Sequence, residues 1–175
     1  CHSYFGILHT AYLRTANTAY VERIDADTRD WVLSNPYPGK LNRKGPWGGI
    51  TIARRSMAWA PVFYGLQNVD EFSPAARILM LSSIADHARH LMLFHRRDDN
   101  NWTLGEVSML GTIGCLWPEF RDAPGWRAYS QEHVGRQLAK IVYPDGAEAE
   151  LTSHYHRLVT ENVESYVDTF RRSGF

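Results

Sequence analysis

SPAARILMLSSIADHARHLMLF, from Ser73 to Phe94, carries its apolar side chains at helical spacing and opens on Ser followed by Pro. A serine hydroxyl at an N-cap accepts one of the otherwise unpaired N–H groups of the first turn. A proline at the first helical position gives up an N–H that would have had no partner anyway. The segment is therefore a helix with its own start signal, and reading outward from it meets more helices. Upstream, ITIARRSMAWAPVFYGL (Ile50–Leu66) places Ile52, Met57, Trp59, Val62 and Phe63 at helical intervals, with Pro61 tolerated as a kink or an early stop. Before that, AYVERIDADTRDWVL (Ala19–Leu33) sets Tyr20, Val21, Ile24, Trp31 and Val32 near one stripe, with Asn17 and Thr18 as caps and NPYPG as the stop. No element is read before Ala19.

Downstream, RRDDNN (Arg96–Asn101) is a polar connector. WTLGEVSMLGTIGCLW then runs to a stop at Pro118 and reads as a buried helix, its three glycines weakening helicity while allowing close packing. GWRAYSQEHVGRQLAKIVY (Gly125–Tyr143) places Trp126, Tyr129, Val134, Leu138, Ile141 and Val142 at helical intervals and ends at Pro144-Asp145-Gly146. A last helix is expected from about His154 to Arg171. With no strand pattern, the class is all-α, built from antiparallel helical hairpins.

The length of 175 residues suits a single helical domain. Nineteen basic residues balance nineteen acidic ones without long runs of either sign, which argues against a nucleic-acid partner. No apolar run approaches a membrane span, and no charged n-region with an apolar h-region opens the chain. Cys1 and Cys115 make neither a metal cluster nor a disulfide framework, and a single bridge between them stays open. Six Trp, nine Tyr and seven Phe are rich in aromatic surface, which serves as core or as flat platforms for ligands.

Trp47, Asn101 and Tyr155 each lie at or just before a helix start, and 101 − 47 and 155 − 101 both equal 54. One such interval holds two helices and two connectors, a hairpin repeat. If helices alternate up and down, these starts return to one rim. That rim would hold an amide (Asn101), a phenol (Tyr155), imidazoles (His154, His156), a carboxylate (Glu150), indoles (Trp47, Trp102) and, two turns down, a guanidinium (Arg55). The set offers no cysteine or serine nucleophile in a recognisable setting and no paired acids at glycosidase spacing. It suits removal of a proton from a carbon beside a carboxylate, where a donor must neutralise the developing dianion and a base must meet the carbon. Each residue also has an ordinary role: Tyr packs at helix starts, Asn caps, Arg snorkels. His87, His90 and His95 read as surface or core histidines, because no further ligand pattern completes a metal site around them. His154 and His156 are two apart on a helix, so their rings diverge. The GTIG and GPWGG glycines follow no strand and are not phosphate loops.

At WGGITIARRSMAW, NNWTLGEVSMLGTIGCLWPEF and YPDGAEAELTSHYH, the chain resembles the heparinase II/III family of polysaccharide lyases, in the helical N-terminal region that forms an incomplete α/α toroid. The resemblance covers nearly the whole chain. It implies that residues 1–175 are a fragment of the toroid, without the C-terminal β-sandwich that in the family closes the cleft and supplies a further catalytic histidine. It implies β-elimination on a uronic-acid-containing glycan, with Tyr155 as general base, and in some members as acid too, and Asn101 neutralising the uronate carboxylate. His156, Arg55, Trp102, Trp47 and Glu150 match positions that line or brace the cleft. Thr152 and Ser153 are mild departures from the family's usual Ser and Pro. Trp102 stands where the oligo-alginate branch tends to have a catalytic His, which favours heparan-like or other uronate glycans.

No cofactor is called for by these residues, although a structural metal has room in the further domain. The expected partner is an acidic polysaccharide or oligosaccharide, with no nucleic acid and no membrane. The expected setting is the bacterial periplasm or the outside of the cell. Two other readings compete: a glycan-binding toroid without catalysis, and a helical-repeat interaction scaffold resting on the 54-residue period.

Overall fold

The structure is a computed structural model that describes residues 2–175. Seven α-helices and one short 3-10 turn make up its regular structure among the described residues: α1 Phe5–Thr15, α2 Ala19–Ser34, the turn Gly45–Trp47, α3 Gly49–Gly65, α4 Pro74–Phe94, α5 Asn101–Leu116, α6 Ala123–Ile141 and α7 Ser153–Arg172. The only pairing of β type among them is an isolated antiparallel bridge between Val142 and Glu148. The all-α expectation holds. Pro61 neither stops nor splits α3, which runs on to Gly65. Helix α1 had no counterpart in the periodicity reading, although Phe5, Leu8 and Tyr12 recur along it at helical spacing, Phe5 buried and the other two half-buried.

The chain forms two compact units, Cys1–His87 and Ala88–Phe175, with the division falling inside α4. In the first unit α1 packs on α2 and α3. The buried residues are Phe5, Val21, Ile24, Ile52, Trp59, Val62, Leu66, Phe72, Met80 and Ile84 among others. A buried carboxylate ties α2 to the start of α4. Asp25 Oδ1 accepts from the Ser73 backbone N–H at 2.9 Å and from the Ser73 hydroxyl at 2.5 Å, while Arg29 meets Oδ2 at 2.7 Å. Burial pushes the Asp25 carboxyl up, but these donors outweigh it and hold the group below its ordinary value. Ser73 Oγ in turn accepts from Ala76 N at 3.2 Å, which is the cap expected from the Ser-Pro start.

In the second unit α5 packs against both α6 and α7. Leu104, Val107, Cys115, Val134, Ile141, Val159, Tyr166 and Phe170 form the shared core. Helix α5 is buried along nearly its whole length, and its glycines let α6 come close. A β-carbon on Gly111 would stand 2.7 Å from Ser130 Cβ and 3.0 Å from Tyr166 Cε2, and one on Gly114 would stand 2.9 Å from the Ala123 carbonyl. The Cys115 thiol is free and buried, and burial pushes it up to about 11.

Side-chain bonds give the helices their directions. Gln137, late in α6, reaches the carbonyls of Asp98 and Asn100 just before α5, and Lys140 meets Asp99 at 2.8 Å. At the other end Arg127, early in α6, reaches the Gly114 carbonyl. Tyr166, late in α7, meets Ser130 at 3.1 Å, and Phe175 stacks under Arg127 at 3.8 Å. So α6 runs antiparallel to α5, and α7 runs parallel to it. The first turns of α5 and α7 share one end of this unit. Helices α3, α5 and α7 start at Gly49, Asn101 and Ser153, and 101 − 49 and 153 − 101 both equal 52, which is the hairpin repeat with a period two residues shorter than the landmark residues gave.

Candidate functional site

The connector between α4 and α5 is clamped from several sides. His95 Nδ1 bonds the Arg96 carbonyl, which can only accept, so that nitrogen carries the proton. His95 Nε2 then offers a lone pair, and the Tyr129 hydroxyl donates to it at 2.7 Å. Burial lowers the His95 pKa, consistent with this neutral form. The Arg96 N–H donates to Glu106 Oε2 at 2.6 Å, so the backbone of Arg96 is held at both its N–H and its carbonyl. Thr103 Oγ1 and Gln137 Nε2 both donate to the Asp98 carbonyl, at 2.6 and 3.0 Å.

The cap of α5 is Asn100, whose side chain accepts from Thr103 N at 3.0 Å. Asn101 is the first residue of the helix proper. It is 6% exposed, and its carboxamide has no hydrogen-bond partner among the described residues. The sequence alone left Asn101 the ordinary role of a cap. With Asn100 in that role, the Asn101 amide is uncommitted. Trp102, next in the chain, is 43% exposed, and the Arg96 guanidinium lies over its ring at 4.7 Å.

The segment that leads into α7 is a tight hairpin rather than an open loop. Tyr143 N donates to the Ala147 carbonyl at 2.8 Å, Ala149 N to the Ile141 carbonyl at 2.8 Å, and Asp145 Oδ1 accepts from Ala147 N at 3.0 Å. Gly146 takes φ +87°, a region that a residue with a β-carbon adopts only with strain. Leu151 takes φ +54° without being glycine, just before the helix. Thr152 caps α7 by accepting from Tyr155 N at 3.1 Å. Tyr155 is thereby the third residue of α7, half-buried, with its ring 5.4 Å from that of exposed His154. His156 is exposed and, with Leu138, Val142, Glu148, Val159 and Val163, lines a depression of about 250 Å³ beside the hairpin.

Glu150 is exposed at the end of this hairpin. The acid of this hairpin that the fold buries is Glu148, 2% exposed, whose Oε2 accepts from the Glu150 N–H at 2.9 Å and whose Oε1 has no partner among the described residues. Nothing in the GAEAE pattern separates the two glutamates, because their burial is decided by the bridge to Val142.

In the second unit the structure therefore brings Asn101, Trp102, Tyr155, His156 and Glu150 to one end, where two parallel helices begin. Trp47 and Arg55 belong to the first unit, in a cluster of their own. Arg55 is 1% exposed, and its charge meets no carboxylate among the described residues. Its Nε and Nη2 reach His87 Nε2 at 3.1 and 2.9 Å, its Nη1 donates to the Pro46 carbonyl at 2.8 Å, and the guanidinium lies 3.8 Å over Trp31 with Trp47 and Trp59 at 5.7 and 5.8 Å. Since Arg55 can only donate, His87 Nε2 is the acceptor and Nδ1 carries the proton toward Ser56 Oγ at 3.1 Å. Burial pulls the Arg55 pKa down to about 9, still charged at neutrality. Trp47 is buried and donates its indole N–H to the Asn35 carbonyl at 3.1 Å. Arg55 thus lies beneath indoles instead of snorkelling to solvent. His87, His90 and His95 are all buried, the core reading of the three. Arg96, Glu106, Gln137 and Glu148 carry this geometry unread in the sequence; a polar connector and scattered helix residues show no periodic signal when their role is to bond a backbone across helices.

A family model described as Heparinase II/III N-terminus matches residues 1–175. The chain is 29% identical over 146 residues to a heparin-sulfate lyase of Pedobacter heparinus, covering 83% of this chain and 22% of the relative. It is 22% identical over 155 residues to a heparin-sulfate lyase of Bacteroides thetaiotaomicron, covering 89% and 22%. The chain thus spans about a fifth of the length of these relatives. Among solved structures, it superposes on a heparan sulfate lyase of Pedobacter heparinus with a TM-score of 0.83 at 24% identity, over 98% of this chain and 27% of that one. It superposes on a heparinase III with a TM-score of 0.85 at 22% identity, over 98% and 30%. At these identities the structural likeness shows a common fold, the helical architecture of the toroid region.

Proposed function

The chain belongs to the heparinase II/III N-terminus family, and on that footing we propose that the protein is a polysaccharide lyase that cleaves a uronic-acid-containing glycan by β-elimination. The observation that carries the proposal is the sharing of one end by Asn101 and Tyr155, each in the first turn of one of two parallel helices, with the Asn101 amide free of any capping duty. Heparan-like glycans are the favoured substrates, as the names of the relatives support.

The chemistry follows from the groups. The proton to be removed sits on the ring carbon beside the uronate carboxylate, and its removal places a second negative charge on that group. The Asn101 carboxamide donates to the carboxylate and stabilises the charge as it develops. The Tyr155 phenolate takes the proton; the electron pair forms the double bond, and the glycosidic oxygen on the next carbon leaves. The phenol then returns its proton to that oxygen. A side chain in the first turn of a helix leans toward the N-terminus, where the exposed N–H groups favour negative charge. His156 and Glu150 sit beside Tyr155 to brace or line the cleft, Trp102 offers a face to a sugar ring, and Arg55 supports Trp47. The step involves no redox change. A periplasmic or extracellular setting, which the family resemblance implies, belongs to the same proposal.

Incubating the full-length protein with heparan sulfate, alginate and related uronans tests the proposal through the ultraviolet absorbance of the unsaturated product. Silence on every substrate would remove it. Tyr155→Phe deletes the base while keeping the ring, so elimination should be abolished with affinity nearly unchanged. Binding by the wild type without turnover would instead favour a glycan-binding module.

A further inference from the structure

Arg96 meets two carboxylates only at long range, Asp98 at 3.5 Å and Glu106 at 3.8 Å, and its surroundings are unlike those of an ordinary surface arginine. Its backbone is fixed on both sides, by Glu106 at the N–H and by His95 at the carbonyl. Its guanidinium rests on the exposed Trp102 ring at 4.7 Å. Yet its five N–H donors make only long contacts: Nε stands 3.8 Å from Glu106 Oε1 and Nη1 stands 3.5 Å from Asp98 Oδ2, while Nη2 has no partner among the described residues. The Asp98 carboxylate is 60% exposed, so its long contact is weak and easily displaced. The side chain itself keeps 26% of its surface open.

We propose that Arg96, stacked on Trp102 and held from behind by Glu106, is an anion-recognition subsite for the glycan next to Asn101. The group it takes is a planar or tetrahedral oxyanion, a sulfate or a second uronate carboxylate on the chain, while the adjoining sugar ring lies on the open part of Trp102. The inference rests on the lyase reading for the identity of the ligand. The physical reason for the assignment is the mismatch between restraint and satisfaction. Stacking and the Glu106 field hold the guanidinium in place, but its one hydrogen bond among the described residues is the long 3.5 Å contact to exposed Asp98, and arginine matches oxyanions through two parallel N–H donors. Asn101 adds a second uncommitted donor side chain at the same helix start.

The test is binding in the full-length protein carrying Tyr155→Phe, so that turnover does not consume the ligand. Calorimetry with heparan sulfate oligosaccharides and with the same oligosaccharides chemically desulfated separates the two sources of the anion. Arg96→Gln is expected to weaken binding of the sulfated ligand about 10- to 100-fold, the loss of a charge-assisted bidentate contact. A loss confined to the sulfated ligand assigns sulfate, and an equal loss on both assigns the carboxylate. Unchanged affinity for both ligands in a folded variant overturns the proposal. If Arg96→Gln fails to fold, the decision passes to the exposed Asp98→Asn change. Removing that competing carboxylate should tighten binding several-fold, whereas unchanged or weaker binding overturns the subsite. The lyase reading fails separately, when the wild-type protein yields no unsaturated product from any uronan.

Discussion

Asn100 and Asn101 are chemically identical neighbours with opposite duties. Asn100 spends its side chain on Thr103 N, so Asn100→Ala should cost about 1 kcal/mol of stability and lower the melting temperature. Asn101 spends nothing on the fold. If its amide meets the uronate mainly as charge accumulates, Asn101→Ala should lower kcat by about 10²–10³ while KM and the melting temperature hardly change. Thermal melts and turnover of the two variants separate the duties; an Asn101 variant with wild-type kcat would remove it from the site. The sequence could place both residues at a helix start. It could not say which one caps, since that depends on one residue of register.

Arg55 makes the complementary point. Its sequence context, an arginine among apolar neighbours, is that of a snorkelling side chain, yet the fold puts it under three indoles with a histidine as its main acceptor. A buried charge without an acidic partner contributes little net stability, so Arg55→Met should leave the melting temperature unchanged or raise it. Arg55→Ala adds a cavity and should destabilise by about 3 kcal/mol or more. Melts of both variants check this. A large loss in the Met variant would mean that the guanidinium itself holds the tryptophan cluster together.

Helix starts and stops were legible where the signal is local: Ser73-Pro74, the Asn-Pro after α2, and Pro118 after α5 each mark a boundary within a few residues of the observed one. Helix α1 was not read, although Phe5, Leu8 and Tyr12 stand at helical spacing in it. The Val142–Glu148 hairpin was read only as a turn, and its pairing is decided by backbone bonds that no side-chain pattern announces. The glycines of α5 were read as allowing close packing, and Gly111 is where the approach is tightest. Gly111→Ala gains helix propensity but drives a methyl into Ser130 and Tyr166, so it should destabilise by about 1–3 kcal/mol. Denaturant unfolding reads the change, and a stabilised variant would show that α6 can shift away.

For the molecule as a whole, histidines govern the response to acid. Burial and then the Arg55 charge lower His2 from 6.5 to about 4, and burial lowers His9, His90 and His95 as well. His2 Nδ1 accepts from the Trp59 indole N–H at 3.0 Å, a bond that the doubly protonated ring cannot make. A base whose folded pKa lies below its unfolded one binds fewer protons folded than unfolded, so its contribution is intact above the unfolded value and is lost as pH falls. The melting temperature should therefore drop as pH falls from about 6.5 toward about 4. Asp25 and Asp27, held below their ordinary value, add a further loss below about pH 4. A flat melting temperature across the first interval would show that these rings protonate in place. The all-α class was legible because period alone decides it; the acid response was not, because it depends on which histidines lose water.

Cys115 sits in the core where α5, α6 and α7 meet, its thiol raised to about 11 by burial. Thiolate is the reactive form, so a soluble alkylating reagent must wait for the native packing to open. The residue is in effect a clock that evolution left inside the second unit. Its labelling rate under native conditions reports how often this core exposes itself, and comparing that rate with and without a bound glycan would measure how far a ligand at the helix starts quiets motion at the far side of the same helices.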